Sequence, residues 1–263
     1  MMSDLQSYID GIYSRGRIKI DLLDLLRQLN TTEASELIKR YLQGNYRMHS
    51  VLKEQADRAA GDRMDFVSRH LEGCTYIRDQ FRYIESKRDH IISHLHQSSG
   101  SILDCGIWKG NTTRALARIF PSIDIQAFDS LEGLPDDWVT SIKGTFKLSE
   151  NELNELDLPQ NCNFYKGWFS NTLPVWKSNE SFETISLIRV DCDIYSSTKN
   201  IFDVVGDMMV EGTIIIFDEL IGYMGWERHE YKAFNEFLLE HPSIEFRYES
   251  FGETYVAGVV HRI

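Results

Sequence analysis

No apolar run in this chain approaches the roughly 20 residues needed to span a bilayer. The opening MMSDLQSYIDGIYSRGR has neither the apolar core nor the small-residue cleavage site of a secretory signal. A cytoplasmic protein is expected. Cysteine is scarce: Cys74, Cys105, Cys162 and Cys192 lie far apart with no C-x-x-C pair. That spacing signals neither a zinc site nor a disulfide framework, and it predicts reduced, mostly buried thiols. Basic charge is short as well. With 28 Lys and Arg against 40 Asp and Glu, a net charge of -12 argues against nucleic acid or an anionic membrane as the main partner. What remains is a 42% hydrophobic chain of 263 residues, enough for one main domain with an appendage.

From Ser3 to about Ile92 the pattern is helical. Apolar residues at 20, 22, 23, 25, 26 and 29 share roughly one helical face, and TTEASELIKRYL follows with Thr32 and Ser35 available as caps. Around Tyr76 to Leu95, the spacing of Ile77, Phe81, Ile84, Ile91 and Leu95 predicts a third helix. The texture changes at Ser101. Short apolar runs then alternate with helical segments: SILDCG, IDIQAFD, CNFYKG, ISLIRVD, GTIIIFDE, IEFRYES and YVAGVVH. Runs of this length bounded by Gly, Asp or Asn read as buried strands, with TTRALARIF and STKNIFDVVGDMM as crossover helices. The expectation is an α/β fold with a seven-stranded, mostly parallel sheet that ends in an antiparallel hairpin at FGET. Residues 1–98 are read as a helical lid or homo-oligomer surface and 99–263 as the catalytic domain.

In an open α/β sheet, ligands bind beyond the carboxyl ends of the strands. Here those ends carry Asp104, Asp129, Gly167, Asp191 with Asp193, and Asp218 with Glu219. In the first turn, LDCGIWKGNTTRAL, Gly106 and Gly110 permit close backbone approach to a ligand at a helix start. The turn does not match G-x-G-x-x-G, so a pyrophosphate-bound dinucleotide is disfavoured, and with it a nicotinamide oxidoreductase. Asp129 ends the second strand about 20 residues past the glycine turn, where a carboxylate can accept ribose hydroxyls; capping the turn at Ser130 is the alternative. Asp191 and Asp193, one residue apart after a β-branched run, need a compensating charge if buried. Arg189, on the same face as Asp191 by strand alternation, could supply it; a bound cation is the other choice.

Together DCGIWKGNTT, FDSLEGLP, FYKGWFSNTLP, IRVDCDIYSST and IIIFDE resemble the macrocin O-methyltransferase family, the TylF-like or MycF-like enzymes that methylate sugar hydroxyls of natural products. The resemblance runs from Ser101 to about Leu239. It implies a Rossmann-like class I methyltransferase fold, S-adenosylmethionine as donor, and a divalent metal, usually Mg2+, at an aspartate-rich site. By motif, Asp104, Gly106, Trp108, Gly110 and Thr112 would lie at the methionine part of the donor, Asp129 and Ser130 at the ribose, and Gly167 and Trp168 by the adenine. Asp191, Asp218 and Glu219 would hold the metal. Asp191 or Asp193 would be the base, with His229 in ERHEYKAF a further candidate. The acceptor would be a small molecule or a saccharide. Two other readings stay open: a metal-independent N- or phenol-methyltransferase, and a non-catalytic S-adenosylmethionine-binding partner protein. Asp104 and Glu219 depart from the glutamate and aspartate of familiar members, although Glu219 remains a hard oxygen ligand.

Overall fold

The computed structural model describes residues 58–139, 141–179 and 181–262. The expected helices around residues 20–42 lie outside them. A first helix, α1, covers 58–70. The runs from Ser101 onward are all strands: β2 (Gly100–Cys105), β3 (Ile125–Asp129), β4 (Cys162–Lys166), β5 (Thr184–Val190), β6 (Met209–Phe217), β7 (Ile244–Phe251) and β8 (Val256–Arg262). In β2 and β5 every residue after the first is buried, so both sheet faces are covered and the strands read as continuous apolar runs.

One correction concerns the strand count. The sheet has eight strands in the order β1-β7-β8-β6-β5-β2-β3-β4, because Thr75–Tyr76 (β1) pairs parallel with the end of β7. β8 runs antiparallel to both β6 and β7, which is the expected closing hairpin. A second correction is that the helix predicted over Tyr76 to Leu95 is divided into α2 (Gln80–Ser86) and α3 (Arg88–Ser98). Asp79 caps α2 by accepting the Phe81 N–H at 3.0 Å, and the Lys87 N–H closes it on Tyr83 and Ile84 carbonyls at 3.1 Å. The apolar spacing survives the break: Ile84, Ile91 and Leu95 are buried in one cluster, with Ile77 and Phe81 packed against it.

α4 (Asn111–Ile119) joins that layer through Leu116 and Ala117. On the opposite face α6 (Phe169–Asn179), α7 (Tyr195–Val205) and α8 (Glu230–Glu240) contribute Trp176, Phe202 and Phe237, and α1 adds Phe66. A short α5 (Glu150–Asn154) sits in the β3–β4 connection. Residues 58–98 belong to the same compact unit as the sheet, which begins at Ala56. Strand order reverses between β2 and β5: β3 and β4 lie to one side, β6 and then β8 to the other. That switch point is where an open sheet of this kind leaves a crevice.

Candidate active site

Gly106 makes the crevice possible. Its φ is 95°, and a Cβ placed there would stand 1.7 Å from the Asp191 carbonyl oxygen. Only glycine lets the turn after β2 cross so close to the end of β5. Asp129 then ties three segments together. Its Oδ2 accepts the N–H groups of Ile107 and Trp108, both at 2.8 Å, and its Oδ1 accepts the Leu131 N–H at 2.7 Å. The carboxylate is thus fixed at the middle of an open cleft. Gly106, Trp108 and Phe146, the run Gly167 to Phe169, and Leu134, Pro135 and Trp138 line it with Asp129. Trp108 and Trp168 remain 42% and 38% exposed; the Lys109 ammonium lies over the Trp108 ring at 4.8 Å, so Trp168 offers the freer face to a flat ligand.

Asp191, Cys192, Asp193, Ser197 and Glu219 line the remaining part of the cleft. Beneath them lies Arg189, 1% exposed, which donates to Asp104 Oδ1 at 3.2 Å, Asp191 Oδ2 at 2.7 Å and Asp218 Oδ1 at 2.9 Å. Gln80, at the start of α2, accepts from Arg189 Nε at 3.0 Å and donates to Asp218 Oδ1. One guanidinium therefore serves three carboxylates. Burial and the neighbouring Asp218 and Asp193 charges push the Asp191 carboxyl up to about 7, against the pull of Arg189, although 27% of its side chain still faces the cleft. Burial likewise lifts Asp193 to about 6 and Glu219 to about 9, each carboxyl close enough to the other to affect its charge.

The cleft brings together Gly106, Trp108, Asp129, Ser130, Gly167, Trp168, Asp191, Asp193 and Glu219. Asp104, Gly110, Thr112, Asp218 and His229 are not among its lining residues; Asp218 is held beside the cleft by Arg189 and Gln80. Asp104 is 0% exposed, held by Arg189 and by the Thr113 hydroxyl at 2.7 Å, so it supports the floor from below. Gly110 packs towards Leu158, where a Cβ would come within 2.6 Å. His229 faces the Tyr223 ring at 6.1 Å, and burial beside Arg228 lowers its pKa. Sequence reasoning missed Gln80 and Glu230, both of which reach the cluster from outside the strand-end motifs. Glu230 carried one signal, an acidic residue at the start of an apolar-patterned helix.

Residues 73–242, well over half of the chain, match the macrocin-O-methyltransferase (TylF) family. The chain belongs to that family. It is therefore a methyltransferase, and the donor implied is S-adenosylmethionine. Two solved structures share its fold. The O-methyltransferase NovP is 21% identical, with a TM-score of 0.53 over 68% of this chain and 78% of that one. CalS11, a calicheamicin methyltransferase, is 18% identical, with a TM-score of 0.55 over 79% and 91%. No curated protein matches the chain.

The cleft suits the donor in kind: an anchored carboxylate and two glycine turns, with aromatic rings in the lining. A divalent cation is a separate question. Among the described residues no group of three or more His, Cys, Asp or Glu is placed so as to hold a metal ion. The donor chemistry nevertheless fits a hard cation. Glu219 Oε2 is buried with no partner, and Arg189 and Gln80 engage only one oxygen each of Asp191 and Asp218.

Proposed function

We propose that this TylF-family enzyme transfers a methyl group from S-adenosylmethionine to a hydroxyl of a sugar, natural-product or polysaccharide acceptor, assisted by a divalent cation. The observation that carries the reading is the pairing, in one cleft, of the Asp129-centred donor half with the Asp191, Asp193 and Glu219 carboxylates. Bound donor supplies an electrophilic methyl on a sulfonium; a cation such as Mg2+, held by Asp191, Asp218 and Glu219, would supply Lewis acidity at the acceptor oxygen.

The chain's own residues bind, orient and take the proton. Asp129 presents its carboxylate to the ribose hydroxyls, while Trp168 and the Gly167 turn flank the adenine. Asp193 is the favoured base. Asp191 is engaged by Arg189, whereas Asp193, lifted to about 6 by burial, can receive a hydroxyl proton near neutrality. His229 stands outside the cleft lining and is set aside. With donor bound, bonding of the acceptor oxygen to the methyl carbon would break the carbon–sulfur bond and release a thioether, while Asp193 would take the hydroxyl proton.

One observation favours a second reading: Arg189 already compensates part of the cluster, as a metal-independent N- or phenol-methyltransferase would need. Titration calorimetry of the chelator-treated protein with S-adenosylmethionine, with and without magnesium, separates the two. We expect donor binding in both cases and a separate magnesium heat that vanishes in Asp218→Ala; hydroxylated sugars are then screened as acceptors. Donor binding without any magnesium heat would favour the metal-independent reading. No donor binding would remove both. The reading also keeps the enzyme cytoplasmic, in line with described helices none of which is long and apolar enough to cross a membrane.

A further inference from the structure

We infer that Glu230 is a positioning residue that clamps the turn carrying Asp193. Glu230 is the first residue of α8 and is 0% exposed. Its carboxyl turns away from its own helix: Oε1 accepts the backbone N–H groups of Cys192 and Asp193, each at 3.3 Å. The segment it grips is strained. Asp193 has φ 65°, and the Ile194 N–H bonds the Cys192 carbonyl at 2.7 Å, closing a three-residue turn about Asp193. Positive φ in such a turn is uncommon for any residue but glycine and persists only where the surroundings impose it.

The Cys192 amide that Glu230 binds is buried and the Asp193 amide part-buried, and among the described residues no strand pairs with them beyond the end of β5, so Glu230 is their acceptor. The clamp therefore fixes both the turn and the direction in which the Asp193 carboxyl leaves it, toward Glu219 and the cleft. Burial pushes the Glu230 carboxyl well above the ordinary range, and its Oε2 has no partner. A glutamine can supply the same acceptor oxygen. Methionine, similar in length, cannot.

The functional half of this inference rests on Asp193 acting as the base. The test compares wild type, Glu230→Gln and Glu230→Met. Amide hydrogen exchange resolved by NMR reads the clamp directly: Cys192 and Asp193 should exchange slowly in wild type and Glu230→Gln, and at least tenfold faster in Glu230→Met. With an acceptor from the screen, kcat should fall at least tenfold in Glu230→Met and less than threefold in Glu230→Gln, while the donor Kd stays within twofold. Equal protection in wild type and Glu230→Met overturns the clamp. So do wild-type amides exchanging as fast as an open loop, a result that does not depend on whether the variants fold. Unchanged kcat in Glu230→Met overturns the positioning role. If wild type binds no S-adenosylmethionine, the reading of the site fails, and the exchange rates still decide the clamp.

Discussion

Arg189 is the residue on which the site's charge depends. It is buried among Asp104, Asp191 and Asp218, and removing it leaves three carboxylates with no ion-pair partner among the described residues. Breaking a buried ion pair from one side costs about 3–5 kcal/mol. Arg189→Met is therefore expected to lose at least that much in urea unfolding of chelator-treated protein. Arg189→Lys should recover only part of it, since an ammonium cannot reach three partners with the geometry of a planar fork. A loss under about 1 kcal/mol in Arg189→Met would mean that the carboxylates are neutralised by other means. Part of this was legible in the sequence. Strand alternation put Arg189 on the face of Asp191, and the adjacent strands brought in Asp218. Gln80 was not legible, because it arrives from a helix 109 residues earlier in the chain, and amphipathic spacing says nothing about which polar residue at a helix start turns inward.

The turn after β2 and helix α1 make opposite demands on glycine. At Gly106 an added methyl group meets the Asp191 carbonyl at 1.7 Å on a backbone with φ 95°. Strain of about 1–3 kcal/mol for the backbone adds to about 1–3 kcal/mol of overpacking. Gly106→Ala should thus lose about 2–6 kcal/mol and weaken donor binding, both measurable by denaturation and calorimetry. Gly61 lies within α1 with nothing within 4 Å of its added Cβ. There the alanine variant should gain up to about 1 kcal/mol from helix propensity. If both substitutions proved neutral, the turn would not be held against β5 as described. The same contrast explains what the sequence revealed of the elements. Strands that are buried for most of their length, β2, β3, β5, β6 and β8, announce themselves as apolar runs, whereas half-buried β4 and alternating β7 were readable from their length and their polar boundaries. A two-residue strand such as β1 has no period to read, and the break at Lys87 depends on the Asp79 cap and local backbone bonds, not on any gap in the apolar spacing.

Across the whole molecule, the switch point between β2 and β5 gathers acidic strand ends that are distant in sequence. Alternating strands and helices predicted that convergence, whereas the carboxyl side-chain directions depend on Arg189, Gln80 and Glu230. The crowding has a consequence for stability. Burial, with mutual repulsion, pushes Asp191, Asp193 and Glu219 up to about 7, 6 and 9 in the folded chain, above ordinary carboxyls. The folded state therefore binds more protons than the unfolded one from about pH 4 upward. The stability they contribute is complete below that point and is lost as pH rises through their folded values. Glu132, Glu152, Glu211 and Glu249 have lowered values and act in the opposite sense, but only in acid, below this window. His229, also lowered, opposes the trend near its usual range with a single half-buried ring. Chelator-treated protein should consequently melt at a lower temperature at pH 9 than at pH 5.5, and Glu219→Gln should flatten the difference. Magnesium should raise Tm more at pH 9, where the carboxylates have lost their protons and can accept a cation. A Tm that rose between those pH values in chelator-treated wild type would show that the cluster is not held in its proton-rich form. A magnesium effect equal at both would separate the cation from these carboxylates.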